Sequence, residues 1–237
     1  VKAETLAALN AERAARRPAL VVTDMAGGEQ RLVKAKDIAS DPLGVELDKC
    51  LRMGKSGMAE VDGKKLFITV HAPTAKLVIT GAVHISQALA PMARALDYDV
   101  TVVDPRTAFA SPERFPDIPL IAEWPDVALP PLHVDHYTAF VALTHDPKID
   151  DPALLHALEK DCFYIGALGS RKTHAKRIDR LKQQGASEAS LARIHAPIGL
   201  AIGAVSPAEI AVAIMGEITA TLRMPKVTTA PRAKEVA

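Results

Sequence analysis

The stretch Gly166-Ala167-Leu168-Gly169-Ser170-Arg171-Lys172-Thr173 runs from an apolar segment through two glycines into a segment of helical composition. Ser170 is of the N-cap type, and the first backbone N–H groups of a helix have no partner within it. A helix start of this kind attracts anions, and Arg171 and Lys172 add positive charge to it. The chemistry implied is the binding of a phosphate or a similar group. The stretch is not the triphosphate-cradling P-loop, in which Lys follows the second glycine directly. Here Ser170 and Arg171 separate Gly169 from Lys172. Basic residues continue at Lys176, Arg177, Arg180 and Lys182, a run whose ordinary reading is a solvated helix face.

A second candidate is Gly81-Ala82-Val83-His84. A dinucleotide-binding loop uses three glycines, for a tight turn, for approach of the pyrophosphate and for helix–strand packing. Gly81 takes the first place, while Val83 and Ser86 take the other two, so the methyls of Val83 are expected to obstruct a diphosphate. Asp104 lies 23 residues beyond Gly81, near the offset of a ribose-binding acid, and Arg106 follows it. Two readings stand: a tight turn that binds no nucleotide, or an NAD(P)-binding oxidoreductase with a degenerate loop. His84 opens the next helix, where an imidazole either meets a ligand or caps its own first turn.

Thr144-His145-Asp146 follows another apolar run. In open α/β sheets ligands sit beyond the carboxyl ends of the strands, which is where these three residues fall. Asp146 is placed either to orient His145, as in a general-base pair, or simply to lead into Pro147. His195 lies in Ile194–Leu200, which reads as a structured loop. Nothing in these spacings assigns a catalytic role. Cys50 and Cys162 form neither a CxxC pair nor a zinc pattern, so no metal site is expected.

The elements that must position these residues alternate along the chain. Strand-like runs at Leu77–Thr80, Val100–Val103, Leu120–Glu123, Ala139–Thr144 and Phe163–Leu168 are separated by helical patterns, including Ser170–Gln184. Ser206-Pro207-Ala208-Glu209 is a capping box that opens a last helix with Ile210, Ile214, Ile218 and Leu222 on one face. Asp41-Pro42 and Asp151-Pro152 each read as a helix start with Pro at the first position. The expected fold is α/β: a Rossmann-like, doubly wound parallel sheet over residues 75–224. Residues 1–72 precede it as a small α/β N-terminal domain, with an amphipathic helix over 2–17 and a hairpin turning at Asp62-Gly63. Residues 225–237 read as a disordered tail.

Composition narrows the class. With 49% hydrophobic but only 4% aromatic residues, the core must be aliphatic, which suits buried parallel strands. A formal net charge of +1 gives no general attraction to nucleic acid or to a membrane surface. No apolar stretch reaches the ~18–20 residues of a membrane span, and no signal peptide opens the chain. The expectation is a cytoplasmic protein with two reduced thiols.

Taken in order, GA-VH, VVDPR, THDPKIDDPAL, YIGALGSRKTHAKR, IHAPIGL-IGA and SPAEIA-AI--EI resemble the xanthine dehydrogenase accessory protein family (XdhC/CoxI) from Leu77 to Leu222. The resemblance implies a maturation factor rather than a catalyst. It implies a chaperone that binds the molybdenum cofactor (molybdopterin) as cargo, supports its sulfuration by a cysteine desulfurase, and delivers it to a molybdenum hydroxylase of the xanthine or carbon monoxide dehydrogenase type. A homodimer is the prior for such folds. The cofactor's phosphate would then sit at the Gly166–Thr173 helix start, and its pterin edge near Gly81, His84, Asp104, Arg106, Thr144, His145 and Asp146, with His195 close by. Two features depart from the family. Val83 replaces a common glycine, and residues 1–72 hold no glycine-rich stretch ending in cysteine, Cys50 lying in a helical pattern instead.

Overall fold

A computed structural model of the chain describes residues 2–225. The first layer holds α1 (Ala3–Ala14), β1 (Ala19–Asp24), β2 (Gln30–Lys34), α2 (Gly44–Met53), β3 (Gly57–Val61) and β4 (Lys64–His71). Its four strands form an antiparallel sheet in the order β2-β1-β4-β3. Asp62 and Gly63 both take positive φ, the geometry a two-residue hairpin needs, and Val61 pairs with Lys64. Leu20, Val22, Leu47 and Ile68 are buried between this sheet and α2. α2 starts at Gly44, later than Asp41-Pro42 predicts. The Asp41 carboxylate instead accepts the Leu43 N–H and pairs with Arg31, while the Asp41 N–H donates to the Ile38 carbonyl and closes a 3₁₀ turn over Ala35–Ser40.

The second layer runs β5 (Lys76–Thr80), α3 (His84–Ala95), β6 (Asp99–Val103), β7 (Leu120–Ile121), α4 (Pro125–Ala128), β8 (Thr138–Ala142), α5 (Pro147–Glu159), β9 (Tyr164–Ala167), α6 (Arg171–Gln183), α7 (Glu188–Leu191), β10 (Ile194–His195) and α8 (Pro207–Arg223). Its six strands are all parallel, in the order β10-β9-β8-β5-β6-β7. Numbered within this sheet and read from β7, that is the 3-2-1-4-5-6 order of the doubly wound fold, with the reversal between β5 and β8. Alternate residues of each strand feed opposite cores. Leu77 and Ile79 pack with Leu89 of α3 and with Ile214 and Ile218 of α8. Val78 packs on the other face with Phe140, Leu154 of α5 and Leu181 of α6.

The caps explain where the helices begin. Ser206 and Glu209 form both bonds of the capping box at α8. Ser170 caps α6 by accepting the Thr173 N–H. α5 begins at Pro147 with Asp146 as cap, one turn earlier than Asp151-Pro152 predicts. Both Asp-Pro pairs carry the same local signal, and tertiary partners decide between them. Asp151 is drawn to Arg180 of α6 at 2.6 and 2.9 Å, so it lies inside the helix.

Polar contacts join the two layers. Arg16 pairs with Asp135 at 2.7 Å and donates to the Thr74 carbonyl, while Arg52 and Arg223 each donate to the other's carbonyl oxygen. The segment expected to be a disordered tail lies outside the described residues from Lys226 onward. No described helix is long and apolar enough to cross a membrane.

Gly166 sits in β9 with Ile198 Cδ1 only 2.5 Å from where a Cβ would stand. Gly166→Ala therefore overpacks the sheet, and chemical denaturation is expected to show a loss of roughly 1–3 kcal/mol.

Candidate functional site

The turn after β5 is closed upon itself. Gly81 has φ +111°, and a Cβ there would meet Thr144 Cγ2 at 2.9 Å and the backbone of Leu143 and Thr144 at 3.2 Å. Its missing side chain thus lets β5 and β8 approach each other at the reversal point, where a dinucleotide loop uses glycine to admit a ligand. The Ala82 N–H, which such a loop offers to pyrophosphate, donates to Asp104 Oδ2 at 2.7 Å. Ser86 donates to the Gly81 carbonyl oxygen. Val83, expected to obstruct a diphosphate, packs instead against the core shared by α3 and α8. The loop is shut by its own hydrogen bonds rather than by that side chain.

Asp104 is fully buried. Besides Ala82, it accepts the backbone N–H of Arg106 at 3.0 Å and the Arg106 Nε and Nη2 groups at 2.9 and 2.7 Å. Burial alone would raise this carboxyl, but these donors outweigh it and hold it below the usual range. Both oxygens carry two bonds each, which leaves no lone pair for a ribose hydroxyl or a pterin edge. Arg106 is bound to Asp104 through Nε and Nη2, with its guanidinium 4.4 Å from the Phe109 ring centroid. Asp104 thus positions the turn, contrary to the ligand contact expected of it, while Arg106 keeps an exposed edge. His84, the first residue of α3, is exposed, and its Nδ1 lies 3.1 Å from the Gln87 side-chain Oε1, so it meets a neighbouring side chain and caps no backbone group.

The edge beyond β8 and β9 is built differently. His145 takes φ 62° and donates its N–H to Asp150 Oδ2 at 3.0 Å. Asp150 Oδ1 accepts the Thr144 hydroxyl at 2.7 Å and the Thr144 N–H at 3.3 Å. Asp146 caps α5, so Asp150, not Asp146, holds His145 in place, and it does so through the backbone. Gly169 takes φ +134°, and a Cβ there would lie 3.2 Å from Thr173 Cγ2 and 3.8 Å from His145 Nδ1. That juxtaposition brings the β8 and β9 turns to one place. Gly166, also expected at the ligand, is a buried strand residue against Ile198 and Tyr164.

A cavity of about 260 Å³ opens here, lined by His145, Asp150, Lys172, Thr173, Lys176 and Arg177 among others. Sequence reading assigned Arg177 to a solvated helix face, but its side chain is 2% exposed. The available signal was its place four residues before the buried Leu181 on α6. Burial depresses the Arg177 guanidinium and raises the Asp150 carboxyl. Larger cavities lie by α1 and the start of β5, away from the carboxyl edge of the parallel sheet.

A third cluster lies at β10 and α8. Glu217 accepts the Tyr164 hydroxyl at 2.6 Å and the Gly199 N–H at 2.8 Å, and its Oε1 is 3.1 Å from His195 Nδ1. Sequence reading named His195 but missed Glu217, which the apolar pattern of α8 conceals. Burial pushes the Cys162 thiol up to about 12 and also raises that of Cys50, so neither is a ready thiolate. Among the described residues, no group of three His, Cys, Asp or Glu side chains converges to hold a metal.

Residues 77–218 match the family model described as the XdhC Rossmann domain. The chain is 32% identical to the uncharacterized protein YqeB of Escherichia coli strain K12, covering 70% of this chain and 32% of that protein. It is 31% identical to the molybdenum cofactor insertion chaperone PaoD of the same strain, covering 62% and 40%. It is 30% identical to a protein of Bacillus subtilis strain 168 named as a probable xanthine dehydrogenase subunit, covering 66% and 46%. The chain thus spans a third to a half of the length of these curated relatives. A crystal structure titled as a xanthine dehydrogenase of Bacillus halodurans shares the fold, with a TM-score of 0.62 at 22% identity over 96% of this chain and 66% of that one.

Two outcomes follow from this geometry. Titration with NADH, followed by nicotinamide fluorescence, is expected to show no saturable binding, because Ala82 and Asp104 already satisfy each other. The donors around Glu217 hold its carboxyl below the usual range although burial opposes them. Its stabilisation is therefore present above the unfolded value of about 4.3 and is lost as pH falls through the lower folded value. Wild type should exceed Glu217→Gln by roughly 1–3 kcal/mol at neutral pH, and the gap should close in acid denaturation series.

Proposed function

The chain belongs to the family of the XdhC Rossmann domain, and on that premise we propose that it is an accessory protein that binds the molybdenum cofactor as cargo. The observation that carries this reading is the contrast between two edges of one sheet. The β5 turn is closed by Asp104, whereas the β8 and β9 turns frame a cationic cavity at a helix start. A phosphate-bearing ligand is favoured at the second edge, where Lys172, Lys176 and Arg177 add positive charge to the helix start. The likeness to a relative named as a molybdenum cofactor insertion chaperone supports the choice of cargo.

The finer reading is that the chain holds the cofactor while a cysteine desulfurase supplies sulfur, then passes it to a molybdenum hydroxylase of the xanthine or carbon monoxide dehydrogenase type. The raised thiols of Cys50 and Cys162 favour sulfur arriving on a partner rather than on this chain. Gly169, Ser170, Arg171, Lys172, Thr173 and His145 would make the contacts. Thr144 and Asp146 would act by shaping the turn, through their bonds to Asp150 and to the start of α5.

Expression in a host that makes the cofactor, followed by oxidation of any bound pterin to a fluorescent product, tests this reading. Wild type should carry pterin, and Arg171→Glu with Lys172→Glu should retain about tenfold less. A wild-type preparation without pterin, under conditions in which a molybdenum hydroxylase from the same cells is loaded, would overturn it.

A further inference from the structure

The cavity between the β8–α5 turn and the first two turns of α6 holds a buried cation that its neighbours do not satisfy. Arg177 donates one bond, from Nη2 to the Leu168 carbonyl oxygen at 2.8 Å. Its Nε and Nη1 are buried and have no hydrogen-bond partner. Asp150 is the obvious counter-ion, but its oxygens are engaged by Thr144 and His145, and it stays 3.9 Å from Arg177 Nη2. Arg180 also lines the cavity, with its Nε and Nη2 bound to Asp151. A buried guanidinium with unmade hydrogen bonds is costly to hold, so its retention calls for a compensating charge.

The rest of the cavity supplies what such a charge would need. Lys172 and Lys176 stand one turn apart on α6 and line the opening, and neither makes an ion pair among the described residues. Thr173 and Arg177 stand one turn apart on the adjacent row. The start of α6 adds the free backbone N–H groups of its first residues and the positive end of a 13-residue helix. Positive groups therefore outnumber the one carboxylate in the wall, Asp150.

We propose that this cavity is a binding site for a phosphate-class dianion, with Lys172, Thr173 and Lys176 at its mouth and Arg177 as the charge beneath. The proposal deepens the cargo reading by naming the group the cavity holds, and it rests on that reading for the identity of the cargo alone. The phosphate can belong to a phosphate monoester or be the free ion.

Isothermal titration calorimetry with inorganic phosphate and, separately, with glycerol phosphate tests it in chloride buffer. Saturable one-to-one binding is expected, and the tighter of the two probes identifies the source. Lys172→Gln with Lys176→Gln should bind about tenfold more weakly, with its melting temperature in the absence of phosphate unchanged. Lys182→Gln, on the same helix but outside the cavity, should bind as wild type does. Arg177→Gln should abolish binding, and if it does not fold, the lysine pair still decides. Absence of saturable binding, or equal losses in the Lys182 variant and the lysine pair, would overturn the proposal. Phosphate binding without pterin retention would refute the cargo reading and leave this site standing. Pterin retention with no phosphate binding would do the reverse.

Discussion

The edge of the parallel sheet depends on the Asp150 carboxylate. It is almost wholly buried, and it gathers the Thr144 hydroxyl and two successive backbone N–H groups into one knot. That knot sets His145 in its left-handed conformation and fixes the course of the chain into α5. Its bonds to Thr144 and His145 hold Asp150 in the turn, and Oδ2 stands 3.9 Å from Arg177 Nη2, an ion pair without a hydrogen bond. One buried acid therefore organises the turn and leaves the buried base beside it incompletely paired.

Asp104 does the analogous work on the other side of the reversal point, with the opposite consequence. Its bonds to Ala82 and Arg106 are complete, so neither the Asp104 carboxylate nor the Ala82 N–H is open to a ligand. Gly81 and Thr144, packed against each other, make the two turns neighbours. The doubly wound fold supplies two equivalent ligand positions at its reversal point. In this chain internal hydrogen bonds close one and leave charge at the other. Membership of the XdhC Rossmann-domain family and the shape of the edge are thus consistent with a ligand that is not a dinucleotide.

Much of the architecture was legible from the sequence because it follows local rules. The strand–helix alternation, the Asp62-Gly63 hairpin, the Ser170 cap and the Ser206–Glu209 capping box all rest on residues near each other in the chain. What local rules could not decide was which of two Asp-Pro pairs opens α5, since the answer lay in the reach of Asp151 to Arg180 on another helix. The short strand β2 was missed because Gln30–Lys34 is polar on the face it exposes. The same limit applied to the candidate site. Glycines and basic residues marked Gly169–Thr173, but spacing alone could not tell that Asp104 and Arg106 satisfy each other. Nor could it tell that Arg177 turns inward while Lys176 beside it turns out.

The central claim is that ligand binding has moved from the β5 turn to the edge beyond β8 and β9. A crystal structure of the protein grown with added molybdopterin tests this most directly. The expected result is a phosphate within hydrogen-bonding distance of Lys172, Thr173 or Lys176, with the Ala82–Asp104 bond intact. A phosphate seated on Gly81–Val83, with the Ala82 N–H turned from Asp104 toward it, would contradict that claim.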